Sequence, residues 1–394
     1  MRKRVWIPVA FLGAAALGFF GFVPGYVEGS MNVIDGKPLI AVSDEAKQLH
    51  KTLTIVDLHS DTLMWNRDLG DRASRGHMDQ HRLVEGNVAL QLFSSVTKTP
   101  QGQNYEGNGA DTDNITLLTI AQLQPVKTWN SLVERSLYHA QKLNDAVAES
   151  KMMLVPVNTS NDVDGIIGRA STNDKRIGAM LTIEGLHNLE GKAANLDRLY
   201  NAGFRMAGLT HFFDNELGGS MHGLKKGGLT PFGRNIVRRM EAKGMIVDIA
   251  HLSHTGVAEL LAMATRPVVS SHGGVQATCK VNRNLSDAEI KGVAKTGGAI
   301  GIGYWEGAVC DTSPRAAAKA MKHVRDLVGI DHVALGSDYD GATTVRFDTS
   351  QLVQVTQALL DEGFTEPEIR AVMGGNALRV IRAGLVPMAG APSK

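Results

Sequence analysis

The chain has 394 residues, enough for one large domain or two ordinary ones. Its 41 Lys and Arg nearly cancel its 40 Asp and Glu, so nothing in the charge balance suits a polyanionic partner such as nucleic acid. The 43 glycines and the low aromatic content suit an α/β protein with many tight strand–helix turns.

Arg2-Lys3-Arg4 is followed by an uncharged run from Val5 to Val27, which Glu28 closes. About 20 apolar residues cross a bilayer, so the run is long enough for a membrane anchor. The positive flank favours an N-in, C-out orientation. A cleaved signal peptide is the rival, although Phe22-Val-Pro-Gly-Tyr26 offers no clean small-x-small site; a buried soluble helix is a third reading. Either of the first two exports the remainder, as a membrane-anchored or a secreted protein. The expected organisation is an anchor or signal over 1–28, a linker and lead-in helix over 29–50, one folded domain over 51–386 and a tail over 387–394. The two cysteines, Cys279 and Cys310, fit either a disulfide in an exported chain or two thiols.

Residues 54–58 read as a β-strand that runs into His59-Ser-Asp61. Side chains at i and i+2 share a strand face, so an imidazole and a carboxylate are presented together, a common way to hold a divalent ion such as zinc. Further apolar runs follow: 88–96, a short extra one at 152–157, then 177–184 ending in Glu184, 206–211 ending in His211 and 245–251 ending in His251. The remaining runs are 267–272 ending in His272, 298–304, and 332–338 ending in Asp338. Helices are expected between them: 129–150, 195–202, one capped by Thr230-Pro231 and stopped at Gly244, 257–264, one opened by the box Ser286-x-x-Glu289, and 314–328. Another is capped by Thr365-x-x-Glu368 near the end. Leaving out the extra run, eight strands alternating with helices predict a (β/α)8 TIM barrel, whose active site lies at the C-terminal strand ends.

Six of those eight strands deliver metal-compatible groups to that rim. His59, Asp61, Glu184, His251 and His272 suffice for two ions, with Glu184 between the two groups as a bridging carboxylate. Such a pair supports hydrolysis of an amide, ester or related bond. Asp338 fits a proton-shuttling carboxylate and His211 a hydrogen-bond donor to the developing oxyanion. Asp57 and Asp340 are read as partners that orient ligands, and His187, His222 and His254 as loop or surface histidines.

The motifs Val56-Asp-Leu-His-Ser-Asp61, Ile183-Glu-Gly185, Leu209-Thr-His211, Asp248-Ile-Ala-His-Leu-Ser253, Ser270-Ser-His272, Arg283-Asn-Leu-Ser-Asp287, Gly336-Ser-Asp-Tyr-Asp-Gly341 and Gly374-Gly-Asn376 carry a resemblance. Over residues 50–385 the chain resembles the membrane (renal) dipeptidase family of zinc metallopeptidases. The resemblance implies that His59 and Asp61 hold one zinc, that His251 and His272 hold the other, and that Glu184 bridges them. It implies that His211 contacts the scissile carbonyl, that Arg283 binds the substrate's C-terminal carboxylate, and that Asp338 lies by the water and the free amine. It also implies dipeptide substrates, including some with a C-terminal D-residue, a homodimer, and a Cys279–Cys310 disulfide. The C-terminal lipid anchor of the mammalian relatives is not expected, because residues 389–394 hold no apolar tail and the apolar segment is at the front.

Two other readings compete. A different two-metal hydrolase on the same barrel would cut a cyclic amide, a β-lactam-like ring or a phosphoester. Many of those bridge their metals with a carboxylated lysine at a strand end, and no lysine here ends an apolar strand. A tethered binding protein that had lost catalysis is expected to lack a ligand or the proton shuttle, and this chain has the full set. The ligand set itself also accommodates manganese or cobalt.

Overall fold

The strands form where short apolar runs are closed by glycine, proline or polar clusters. Their residues are buried on both faces, as parallel strands covered by helices require. The computed structural model describes residue 16 and residues 18–387 apart from 170, 171 and 173. The barrel strands are β1 (Ile55–Asp57), β2 (Val88–Val96), β3 (Ile177–Glu184), β4 (Phe204–Gly208), β5 (Ile246–Asp248), β6 (Val269–Ser270), β7 (Ala299–Ile302) and β8 (Val333–Leu335). Neighbours in this order pair in parallel, and Leu335 of β8 pairs with Asp57 of β1, so the sheet closes on itself. This is the expected barrel. The extra strand forms at Leu154–Pro156 against the first half of β3, a stretch that β4 leaves open because it pairs with β3 only from Leu181.

Helix signals translate directly. Thr230 caps Pro231–Lys243, which ends at Gly244 with φ 67°. Ser286 and Glu289 form their reciprocal capping box, and Pro314–Val328 has the expected bounds. These helices turn apolar stripes such as Ile236, Val237 and Met240 onto the barrel. Cys279 and Cys310 are joined in a disulfide.

Several strands stop sooner than the apolar runs suggest. Those read as ending at His211, His251, His272 and Asp338 end at Gly208, Asp248, Ser270 and Leu335. Ladder pairing ceases at the rim, so these site groups lie in the loops that follow the strands. Two aspartates fix that rim. Asp57 accepts from Ser337 N at 2.8 Å and Ser337 Oγ at 2.5 Å, tying β1 to the loop after β8. Asp248 accepts from Ser271 N at 2.9 Å and Ser271 Oγ at 2.5 Å, tying β5 to the loop after β6.

The expected membrane or signal segment lies largely outside the described residues. Among the described residues no helix is long and apolar enough to cross a membrane. From Val23 the chain is helical through Glu28 to Met31, a helix termed α1. Glu28 is buried between Arg67 and Arg75. The stretch read as linker and lead-in helix holds Val33–Ile34, paired in parallel with Thr344–Val345, and a helix at Asp44–Lys51 capped by Ser43.

His50 in that second helix is buried and hydrogen-bonded to Thr356 Oγ1 at 2.8 Å. Burial pushes its pKa down to about 4. The unfolded chain takes up this proton near pH 6.5, so the stability owed to neutral His50 is complete above that pH. It is lost as pH falls from about 6.5 towards 4. Urea midpoints over that range should show His50→Gln with a shallower acid limb than wild type, a difference on the order of 3 kcal/mol at most.

Candidate metal centre

The seven rim residues converge at one mouth. Glu184, the last residue of β3, is followed by Gly185, whose φ of 89° turns the chain sharply over the barrel. A side chain at Gly185 would meet His187 Nδ1 at 2.5 Å, so the turn requires glycine. Glu184 Oε2 lies 3.5 Å from His59 Nε2. Glu184 Oε1 lies 2.8 Å from His251 Nε2, 3.1 Å from His272 Nε2 and 3.5 Å from His211 Nε2. His59 Nε2 is in turn 3.4 Å from Asp61 Oδ1 and 3.9 Å from Asp338 Oδ1. Candidate ligand atoms fall into three overlapping groups: His59, Glu184 and His272; Glu184, His211 and His251; His59, Asp61 and Asp338. Within each group the atoms lie within 4.8 Å of one another, and all are buried. The groups cut across the expected division of His59 and Asp61 from His251 and His272, with Glu184 common to two of them.

The backbone is strained here. His251, Asp338, Asp340 and Ala342 all have left-handed φ, between 58° and 64°. Non-glycine residues keep such angles only where the surroundings impose them, and at His251 and Asp338 the side chain joins the cluster in the mouth.

Against the cost of burial, Glu184 and Asp61 hold His59 well above the usual imidazole value, so positive charge is favoured among these carboxylates. Burial and the neighbouring Glu184 charge push Asp61 up to about 6. Asp338 is driven well above the usual carboxylate range by burial and by the charges of Asp61 and Glu184, against the pull of His59 and Arg283. Burial, with nearby positive groups, holds His251 and His272 well below the usual imidazole value, in the neutral form that binds metal. Hydrogen bonding fixes the tautomer of His272. Ser271 gives its one hydroxyl proton to Asp248, so it accepts from His272 Nδ1 at 2.8 Å. That leaves a bare lone pair on His272 Nε2, aimed at Glu184 Oε1 and, at 3.0 Å, at His251 Nε2. His59 Nε2 and Asp61 Oδ1 are likewise buried without a hydrogen-bond partner among the described residues. His59, Asp61, Glu184, His251 and His272 thus crowd nitrogen and oxygen ligands into one buried cluster, a set that fits divalent metal ions, with Asp248 and Ser271 orienting one ligand from behind.

Beside the cluster, Arg283 is buried with its guanidinium 4.9 Å from the Trp305 ring. Its Nη2 donates to the His272 carbonyl at 3.3 Å, its one hydrogen bond among the described residues. A pocket of about 200 Å³ opens over Glu184, His211, Arg283 and Asp338.

Some residues around the site escaped the sequence. His187 and His222, read as loop or surface residues, are buried. His222 stacks on Phe212 with centroids 4.5 Å apart, and burial pushes its pKa down to about 3. Tyr105, from the loop that follows β2, lines the pocket, and its hydroxyl accepts from Trp305 Nε1 at 3.1 Å. No local pattern marks these residues, because tertiary contacts from distant loops bring them in. Asp340, expected to orient a ligand, instead accepts from Thr62 Oγ1 at 2.7 Å and His77 N at 2.6 Å and pairs with Arg67. His254 is half-buried and paired with Glu289 at 2.6 Å.

Comparison with known proteins bears on this arrangement. A family model described as membrane dipeptidase, peptidase family M19, matches residues 43–386. A dipeptidase of Aspergillus oryzae, aclJ, is 29% identical over 364 residues, 85% of this chain and 81% of its own. The probable dipeptidase PvdM from Pseudomonas aeruginosa shares the fold with a TM-score of 0.72 at 18% identity, over 86% of this chain and 97% of that one. A metallopeptidase from Rhodobacter sphaeroides, solved with a phosphinate mimic of the dipeptide L-Ala-D-Ala, superposes with a TM-score of 0.69 at 20% identity, covering 84% and 99%. The barrel, the buried cluster on its rim and a match running through all of it lead to one conclusion: the chain belongs to the membrane dipeptidase family, peptidase family M19, and is a peptide hydrolase.

Proposed function

We propose that the protein is a dinuclear zinc dipeptidase. The observation that carries this reading is the placement of Glu184, one carboxylate oxygen towards His59 and the other towards His251 and His272. His59 and Asp61 would hold one ion, His251 and His272 the other, and Glu184 both. When bound, the ions supply an acidified water and polarise the scissile carbonyl.

The chain's own residues do the rest. Arg283, buried with a largely unengaged fork of N–H groups, grips the substrate's C-terminal carboxylate. That grip fixes the length of the substrate, since the carboxylate must lie one residue from the cut. His211, across Glu184 from His59, donates to the carbonyl oxygen as charge builds on it. Asp338 takes a proton from the attacking water and delivers it to the departing amine, and it also meets the substrate's free amino group. A C-terminal D-residue is within this scope, supported by the L-Ala-D-Ala mimic bound to the Rhodobacter relative. The apolar run from Val5 and the Cys279–Cys310 disulfide support an exported domain tethered at its N-terminus.

Purified protein should hydrolyse a simple dipeptide, lose that activity to a chelator and regain it with zinc. Undiminished turnover after exhaustive chelation would remove the metal from the reading.

A further inference from the structure

Beside its charged groups, the pocket has a second half that the reaction described above does not use. Met64, Trp65, Val96 and Ile115 form a small apolar cluster, separate from the main core, and Val27 of α1 packs against it. Val27 and Met31 both line the pocket that contains Asp61, Asp338 and Arg283. Four residues apart, they project from one face of the helix. The family match begins at residue 43, so this wall lies outside it.

The helix is pinned on both sides. Glu28, 1% exposed, is forked between Arg67 and Arg75, and Arg67 also pairs with Asp340, two residues beyond Asp338. Asn32, just past the helix, accepts from Ala342 N through Oδ1 at 2.9 Å, and Val33 N donates to the Thr343 carbonyl at 3.1 Å. Ala342 and Thr343 are themselves pocket residues. α1 is therefore fastened to the loop that carries Asp338.

We infer that α1 is a specificity-determining wall, with Val27 and Met31 closing the subsite for the side chain of the substrate's amino-terminal residue. The inference rests on the dipeptidase reading, and geometry assigns the end. Asp338, which meets the free amine in that reading, stands on the loop to which Asn32 and Val33 fasten α1, whereas Arg283, which grips the carboxylate, lies against Trp305. With the carboxylate at Arg283, a dipeptide's first residue extends towards α1. The occupant is an apolar side chain.

The test compares kcat/KM for Leu-Gly over Ala-Gly, and for Gly-Leu over Gly-Ala, in the metal-loaded full chain. Val27→Trp fills the subsite and should lower the first ratio by about tenfold or more, while Met31→Ala, at a half-open position, should lower it by several-fold. Metal content and thermal midpoint confirm that each variant is folded. A first ratio unchanged in both variants overturns the wall, and so does a change confined to the second ratio. A wild-type protein that cleaves none of the four overturns the dipeptidase reading and the subsite with it, which separates the two failures.

Discussion

Asp338→Asn should lower kcat by about a hundred- to ten-thousand-fold, the range a positioned general acid–base group contributes. The asparagine keeps the shape and can still accept a hydrogen bond, but it cannot take up the water's proton and return it to the amine. Its backbone conformation makes this variant well suited to the site: Asp338 has φ 58°, a left-handed angle that asparagine tolerates as well as aspartate does. The fold and the rim should therefore survive. Metal content measured alongside should match wild type, because the proposed ligands are His59, Asp61, Glu184, His251 and His272. Activity within threefold of wild type at full metal loading would leave the proton transfer to another group.

The second large effect belongs to Arg283. Its guanidinium is buried, stacked on Trp305 and engaged by one carbonyl among the described residues, so an arriving carboxylate gains a charge-assisted, two-pronged partner without displacing another. Arg283→Met should lower kcat/KM for a dipeptide by on the order of a hundredfold or more. Arg283→Lys should recover only part, since an ammonium cannot make the planar fork. The substrate-side counterpart is sharper: wild type should turn over an amidated dipeptide poorly, and Arg283→Met should no longer distinguish the amide from the acid. Equal wild-type rates on both would take the carboxylate away from Arg283.

Much of this was legible in the sequence because a parallel barrel writes itself in local signals. Each strand is an apolar run, each helix opens on a cap such as Thr230 or Ser286, and the rim groups follow the strands in register. Where strands end was not legible: the run through His251 reads as continuous, but pairing stops at Asp248, whose side chain accepts from Ala250 N, and His251 takes a left-handed φ of 64°. The paired clamps Asp57–Ser337 and Asp248–Ser271 join residues 280 and 23 positions apart, and nothing local announces the longer one. α1 was hidden for a different reason. An uncharged stretch ending at Glu28 reads as a boundary, yet Glu28 is where the helix locks to Arg67 and Arg75. Composition reports how apolar a segment is, not which surface it meets.

The most direct measurement is metal content by elemental analysis of the full chain after dialysis, for wild type and Glu184→Ala. Two ions sharing one carboxylate predict about two per chain in the wild type, with both sites weakened together when Glu184 is removed. A wild type that retains a single ion, or a Glu184→Ala protein that keeps both, would contradict the shared bridge.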